Sequence, residues 1–360
     1  MQINTQEDLN NNLDLIYMER CLQLARKGLG TTSPNPMVGC VIVYNQKIIG
    51  EGWHHKAGEA HAEVNAIHEV LDKSLLKKST LYVNLEPCSH YGKTPPCSNL
   101  IVKYKIPNVV VATLDPNPKV SGRGIDVLKA SGCNVTLGVL EKEAIELNRR
   151  FITFHQKKRP YIILKWAQTK DKFIAPQNSK NTIPKVFWIS NLKSQQLAHK
   201  WRSEEASILV GVNTVIADNP QLTTRNWKGK HPVRLILDPN NKTPKDTFVF
   251  SDIYPTLFFT KEYDNQKSGT KKNIVLSPYT IDSLMKYCWE KEYTSILVEG
   301  GQKTIQNFIN NNLWDEARVF TSSLFLINGI KAPQLMREPY KKIQIRDNVL
   351  SLYQNQKDEL

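Results

Sequence analysis

LEPCSHYGKTPPC, Leu85 to Cys97, places two cysteines, with eight residues between them, beside a histidine and three prolines. The chain has six cysteines in all. The pair has three readings: a disulfide, two thiols crossing a core, or half of a metal site. Upstream, EAHAEVNAI (Glu59 to Ile67) sets His61 and Glu63 two residues apart where a helix is expected to begin. A histidine and two thiolates are three ligands of the type zinc prefers, with a fourth tetrahedral position left for water. Bound zinc lowers the pKa of water from 15.7 toward about 7. Glu63, adjacent to a ligand but not itself one, can carry the proton to a leaving amine. Alone, His61 reads as an ordinary surface or core histidine and Cys88 as an inert buried thiol. Together, His61, Cys88 and Cys97 favour zinc, and the helix starts predicted at His61 and Cys97 would stabilise thiolate and hydroxide. Cys21, Cys40, Cys133 and Cys288 lie in apolar segments without such partners.

Around these motifs the first half alternates strand and helix. Leu15, Met18, Leu22 and Ala25 predict an amphipathic helix ended by Gly28 and Gly30. Val38–Val43 and Ile48–Trp53 flank a turn at Asn45 and predict a hairpin. Further strands are expected at Thr80–Leu85, Val109–Thr113 and Asn134–Val139. Helices are expected at His61–Leu71, from Cys97, at Ile125–Ala130, and in one charged run through Phe154. A mixed sheet of about five strands carrying helices follows.

At 360 residues, two domains are expected. HQKKRP (His155–Pro160) reads as the linker, giving domains 1–155 and 156–360. Beyond it, strands are expected at Tyr161–Trp166, Phe187–Ser190, Ile208–Gly211, Val233–Leu237, Thr256–Phe259, Ile274–Leu276 and Ser295–Val298. Helices are expected at Leu192–Glu205, Ile281–Lys291 and Thr304–Asn311, and a last hairpin at Ile343–Ile345 and Val349–Tyr353. In SILVEGGQKTIQNF, two glycines between a strand and a helix read either as a tight turn or as a place where amides meet a phosphate. No Walker A or Rossmann glycine fingerprint is present.

Composition, 40% hydrophobic and 23% charged, is that of a soluble globular protein. No apolar run approaches the roughly twenty residues that span a bilayer, so no membrane partner is expected. MQINTQEDLNNN lacks an apolar signal core, so the ending Lys357-Asp358-Glu359-Leu360 reads as coincidence rather than a retention address. A cytoplasmic location is expected, and with it reduced thiols rather than a disulfide. The net charge of +14 is spread along the chain, with no arginine-rich arm or aromatic-basic cluster. Phosphate-bearing small substrates account for it as well as nucleic acid does, and no nucleic-acid partner is expected.

H-A-E, E-P-C and the second cysteine resemble the cytidine-deaminase-like zinc hydrolases. The usual spacing there is P-C-x-x-C. The longer loop here, with SPNPMVGCVIV (Ser33–Val43), GEGWHHKAGEAHAE (Gly50–Glu63) and DPNPKVSGRG (Asp115–Gly124), resembles the bifunctional riboflavin-biosynthesis deaminase–reductases. YIILKWAQTKDKFIAP (Tyr161–Pro176), FWIS (Phe187–Ser190), HKWRSEEASILVGVNTVIADNPQLTTR (His199–Arg225) and PVRLILD (Pro232–Asp238) extend the likeness to the reductase half of that family. The resemblance implies an N-terminal cytidine-deaminase-like α/β/α domain and a C-terminal dihydrofolate-reductase-like α/β domain, with Zn2+ and NADPH as cofactors. It implies that Asn35, His54, His90 and Lys93 hold a pyrimidine ribosyl phosphate, and that Ala167, Trp188, Thr214, Asp218, Gly301, Gln302, Lys303 and Thr304 bind NADPH. Arg202, Leu222, Arg225 and Glu299 would meet the second substrate, the arginines on its phosphate, while Lys165 would orient or polarise the ribose end. A homo-oligomer is expected.

The chain departs from the family in places. S-L-D-G is here Thr169-Lys170-Asp171-Lys172, and the lost glycine questions the backbone beside the nicotinamide. D-D-P is Asp218-Asn219-Pro220, and the glycine turn reads Gly300-Gly301-Gln302-Lys303 where proline often follows in the family. A deaminase with a degenerate reductase half is therefore the main alternative. A nucleic-acid-editing deaminase leaves the second half unexplained, and a structural zinc module needs four closed ligands.

Overall fold

In a computed structural model, which describes residues 6–90, 95–117, 120–177, 187–264 and 269–355, the chain divides into two units between Lys157 and Lys158. The candidate Lys93, part of the DPNPKVSGRG loop, and the last four residues lie outside the described residues.

In the first unit, α1 (Gln6–Arg26) buries Met18, Cys21, Leu22 and Leu24 against β1 (Gly39–Tyr44). β1 turns into β2 (Lys47–Trp53) through Asn45 and Gln46, whose φ values of 48° and 60° are those a tight hairpin turn requires. Then follow α2 (Ala62–Glu69), β3 (Thr80–Val83), α3 (Cys97–Lys103), β4 (Asn108–Val111), α4 (Arg123–Ala130) and β5 (Asn134–Leu137). The sheet order is β2-β1-β3-β4-β5, with β3, β4 and β5 parallel. The two-residue period of β1 explains its two covers: Val41 and Val43 face α1, while Cys40 and Ile42 join Ala66 and Ile67 of α2. The expected single charged helix is two, α5 (Glu141–Leu147) and α6 (Arg149–Lys157). They part at Asn148, whose side-chain amide accepts from Met37 N at 2.8 Å and donates to Met37 O at 2.9 Å. Helix α6 thus takes up the first half of the expected linker.

The second unit runs β6 (Tyr161–Gln168), β7 (Phe173–Ala175), α7 (Leu192–Glu204), β8 (Ser207–Gly211), α8 (Val212–Asp218), β9 (Val233–Leu237), α9 (Phe248–Ser251), β10 (Thr256–Thr260) and β11 (Lys271–Val275). It continues through α10 (Ile281–Glu290), β12 (Ser295–Val298), α11 (Gln302–Asn310), β13 (Glu316–Ser322), β14 (Ile330–Lys331), β15 (Lys341–Ile345) and β16 (Asn348–Gln354). Nine strands form one sheet in the order β11-β10-β9-β8-β12-β6-β13-β16-β15, and β14 pairs with β7 apart from it. From β11 to β13 the strands are parallel; β16 and β15 close the edge antiparallel.

Two differences from the sequence reading stand out. Phe187–Ser190 is not a strand, and Phe187 and Trp188 are exposed. β13, by contrast, lies inside the sheet between β6 and β16, although its charged residues disguise it. Arg318 Nε donates to Glu316 Oε1 at 2.6 Å, and its guanidinium lies 4.6 Å from the Trp201 ring centroid. Paired and stacked, the two charges can be buried.

β12 lies between β8 and β6. After β8 the chain crosses through α8 to β9 on one side; after β12 it crosses through α11 to β13 on the other. Such a reversal opens a crevice at the carboxyl ends of the two strands, where open α/β sheets bind ligands.

Candidate functional site

In the first unit, His61 caps α2, Cys97 opens α3, and Cys88 stands in the loop after β3. One ligand atom from each lies within 4.8 Å of the others. His61 Nδ1 is 3.3 Å from Cys97 Sγ and 3.5 Å from Cys88 Sγ, and Cys97 N donates to Cys88 Sγ at 3.4 Å. A shared hydrogen bond with Cys97 pushes the Cys88 thiol down to about 4, assisted by His61. The same shared bond, and then burial, push Cys97 up, because a second thiolate beside the first needs a cation. One imidazole nitrogen and two sulfurs around a common point fit zinc.

Glu63 lies in the first turn of α2 and is 3% exposed. Burial, then the neighbouring Cys88, push its carboxyl up to about 7. Its Oε2 has no hydrogen-bond partner among the described residues. Asn35 and His54 join this cluster: Asn35 Nδ2 is 3.1 Å from His54 Nε2, and the His54 and His61 rings meet edge-on at 5.5 Å. His90 is exposed on the loop beyond Cys88.

The sequence reading did not single out Glu86, the acid of E-P-C. Its buried carboxylate accepts from Asp115 N (3.1 Å), Gly122 N (2.9 Å) and Gly124 N (2.8 Å). It therefore ties the loop before α4 to the segment that bears Cys88. A fully polar residue directly after an apolar strand was the available signal. From the other side, Ser98 N and Oγ both donate to Cys88 O at 3.1 Å.

In the second unit, Lys165 on β6, Arg202 on α7 and Glu299 after β12 converge. Arg202 holds both oxygens of Glu299, at 2.8 and 2.7 Å, and Lys165 Nζ is 3.5 Å from Oε2. Arg202 Nη1 and His199 Nδ1 both donate to Thr223 O, at 3.2 and 3.0 Å. Burial alone would raise the Glu299 carboxyl; Arg202 and then Lys165 outweigh it and hold it at about 2. Arg202 is thus engaged within the protein, whereas Arg225 is exposed. Leu222 is 2% exposed and packs with Ile208, Val210 and Val215.

At the crevice between β8 and β12, Gly300 and Gly301 precede α11. Gly301 has φ 67°, and a Cβ there would stand 3.0 Å from Thr214 Oγ1. Thr304 Oγ1 lies close on the other side, 2.6 Å from where a Cβ on Gly211 would be. Two hydroxyls and the opening of a helix beside a side-chain-free backbone fit the phosphates of a dinucleotide. Gln302 and Lys303 form the first turn of α11. Ala167 is half-buried on β6, while Asp218 ends α8 and is exposed. No contact among the described residues draws exposed Trp188 to this turn.

Residues 11–113 match the cytidine and deoxycytidylate deaminase zinc-binding region, and residues 160–348 match the RibD C-terminal domain. The chain is 41% identical over 342 residues to the riboflavin biosynthesis protein RibD of Aquifex aeolicus, covering 93% of this chain and 94% of that one. Its likeness to RibD of Escherichia coli is 33% over 332 residues, covering 87% and 88%. Among solved structures, it superposes with TM-score 0.85 on a diaminohydroxyphosphoribosylaminopyrimidine deaminase/5-amino-6-(5-phosphoribosylamino)uracil reductase of Thermotoga maritima. That protein is 35% identical, with 96% of this chain and 99% of that one covered. RibD of Acinetobacter baumannii gives TM-score 0.86 at 30% identity, covering 95% and 99%.

Proposed function

The chain belongs to the RibD family of riboflavin biosynthesis proteins, and on that premise we propose how its residues share the work. It is a bifunctional deaminase and reductase with zinc and NADPH as cofactors, built from a cytidine-deaminase-like domain and a dihydrofolate-reductase-like domain. We place deamination in residues 1–155 and reduction in residues 156–360. The first reaction hydrolyses the 2-amino group of 2,5-diamino-6-(5-phosphoribosylamino)pyrimidin-4(3H)-one. The second reduces the ribosyl group of 5-amino-6-(5-phosphoribosylamino)uracil to ribityl.

His61, Cys88 and Cys97 would hold the zinc, which when bound acidifies water enough to supply hydroxide near neutral pH. Glu63 moves the proton. With its carboxyl near 7, Oε2 can take a proton from water and return it to the departing amine with little cost in either direction. Asn35 and His54 meet the pyrimidine, and His90 and Lys93 its phosphate. In the second domain NADPH supplies hydride, seated by Ala167, Trp188, Thr214, Asp218 and the Gly301–Thr304 turn. Lys165 lies beside Glu299, where an ammonium can donate to the carbonyl oxygen of the opened ribose. Arg202, Leu222 and Glu299 shape the substrate pocket, and exposed Arg225 takes the phosphate.

The observation that carries this reading is the buried carboxyl of Glu63, with Oε2 unpartnered among the described residues, beside a three-ligand cluster on a chain that also matches the reductase domain. Incubation with the diaminopyrimidine phosphate, with and without NADPH, followed by mass analysis, tests it. Ammonia and the uracil product are expected without NADPH, and the ribityl product with it. Absence of ammonia from zinc-loaded protein would overturn the deaminase assignment. We also propose a cytoplasmic homo-oligomer. All six cysteines are free thiols, and Phe325, Ile327 and Met336 are exposed on the second domain. Sedimentation analysis tests the assembly.

A further inference from the structure

Leu222 has φ 57°, a left-handed backbone that a non-glycine residue keeps only where its surroundings hold it there. Its side chain is buried, and the residues around it are gripped from three directions. Arg234, fully buried on β9 and paired with Asp252 at 2.7 Å, donates through Nη1 to Gln221 O at 3.1 Å. From α7, His199 and Arg202 both donate to Thr223 O. Thr224 N donates to His231 Nδ1 at 3.0 Å, and Thr224 Oγ1 donates to Lys230 O at 3.2 Å. These last two bonds close the neck of a short loop, residues 225–230, which rests on α7. A Cβ on Gly229 would stand 2.6 Å from Ser203 Cβ, and Lys200 Nζ lies 5.7 Å from the Trp227 ring centroid. Arg225 is the first residue beyond the neck. It is exposed and makes no hydrogen bond or ion pair among the described residues, whereas Arg202 is held by Glu299.

A backbone N–H only donates, so His231 Nδ1 accepts, and in the neutral ring the proton sits on Nε2. The ring meets that of Tyr254 edge-on, with centroids 4.6 Å apart. Tyr254 O in turn accepts from Arg234 Nη2 at 2.8 Å and Lys271 Nζ at 2.7 Å. His231 thus fastens the loop to a buried, hydrogen-bonded cluster, while being itself exposed.

We propose that His231 is a positioning residue for the reduction: by holding Thr224 N it fixes the backbone from which Arg225 reaches the substrate's phosphate. This rests on the assignment of Arg225 to that phosphate and adds to it the means by which the arginine is preorganised. An arginine on a loose loop must be ordered when the phosphate binds, and that lost entropy weakens affinity. A loop closed at its neck is ordered beforehand. The effect of His231 should therefore fall on KM for the phosphorylated substrate alone.

Assays on the full chain follow NADPH oxidation with 5-amino-6-(5-phosphoribosylamino)uracil and with the same compound lacking its phosphate. His231→Ala should raise KM for the phosphorylated substrate about tenfold, the scale of one lost hydrogen bond. Its kcat and its KM for NADPH should stay near wild type, and its KM for the substrate lacking phosphate should move by less than about twofold. His231→Asn, whose Oδ1 can accept where Nδ1 does, should bring the phosphorylated substrate's KM back to within about twofold of wild type. A KM unmoved by His231→Ala would overturn the proposal. So would an equal rise on the substrate lacking phosphate, the mark of a general loss of packing, or an asparagine variant as poor as the alanine one. Arg225→Ala separates this proposal from the reading beneath it, and should raise the same KM at least as much. If it did not, the phosphate reading would fail and this proposal with it; if it did and His231→Ala did not, this proposal alone would fail. Were His231→Ala not to fold, nitrogen NMR of the wild-type histidine rings decides. The neutral His231 ring is expected as the Nε2–H tautomer, and the Nδ1–H tautomer would refute its hold on Thr224.

Discussion

Glu299→Gln removes the only negative charge from a cluster of one carboxylate and two cations. The side chains of Glu299, Arg202 and Lys165 are 6%, 12% and 15% exposed, so little water is at hand to screen what remains. Removing one partner of a buried pair costs about 3–5 kcal/mol, because the other charge is left uncompensated. Glutamine keeps the size and one acceptor oxygen, so Arg202 retains a neutral hydrogen bond and the lower end, about 3 kcal/mol, is expected. For a domain of roughly 200 residues, each kcal/mol moves Tm by about 2–4 °C, so a fall of about 6–12 °C follows. Differential scanning calorimetry measures it, and the reductase transition is identified as the one that NADPH raises. A fall below about 2 °C would refute the claim that this pair is buried and mutually dependent. Deamination should be unchanged.

The same cluster predicts a pH dependence. The folded Glu299 carboxyl, at about 2, lies below its ordinary 4.5. Its contribution is therefore complete above 4.5 and is lost as pH falls from there toward 2. Burial first, then Arg202 and Arg225, push His199 down to about 4 from 6.5. The unfolded chain takes up that proton as pH falls below 6.5 while the folded chain does not, so stability declines from 6.5 to about 4. Urea midpoints of the wild type should fall through both windows. In Glu299→Gln the decline below 4.5 should be shallower.

Cys97→Ser should lose most of the bound zinc, read by metal analysis, and ammonia release with it. Glu63→Gln should keep the zinc but slow ammonia release at least about a hundredfold, while NADPH oxidation with the already deaminated substrate stays near wild type. Gly301→Val should weaken NADPH binding at least about tenfold by tryptophan fluorescence, because its Cβ would enter contact with Thr214 Oγ1 at 3.0 Å on backbone of φ 67°. Lys172→Gly should raise the Tm of the reductase domain slightly, by up to about 1 kcal/mol of stability, and leave its kcat within about twofold.

Much of the fold was legible because local chemistry and tertiary role agreed. The turn at Asn45 sits between apolar runs that alternate toward two helical layers. His61 and Cys97 mark helix starts that are also the places where the three ligand atoms meet. β13 was hidden for the opposite reason: Glu316 and Arg318 look like surface residues until Trp201, far away in the chain, stacks on Arg318, which in turn pairs with Glu316. Phe187–Ser190 failed the other way, with strand-like residues but no strand partner. The Arg202–Glu299 pair spans 97 residues of sequence, and nothing local to either one announces it. Glu86 was visible as a polar residue after a strand, but its partners are backbone amides, which a sequence does not distinguish from one another.

Lys172 decides how much weight a lost glycine carries. In this chain it keeps the left-handed backbone that a glycine would adopt freely, with φ 65°. The turn around it is held at several points. Lys172 N donates to Thr169 O at 3.0 Å, Thr169 N donates to Phe173 O at 2.9 Å, and Ala332 N donates to Lys172 O at 2.9 Å. Asp171 adds a carboxylate that accepts from Thr169 Oγ1 at 2.6 Å and from Ile327 N at 2.7 Å. A non-glycine residue in this region costs about 1–2 kcal/mol, comparable to one or two of these hydrogen bonds. The turn can therefore carry the lysine by spending stability rather than shape. The left-handed turn beside β6 is kept, so the replacement of glycine by Lys172 gives no backbone reason for a degenerate reductase.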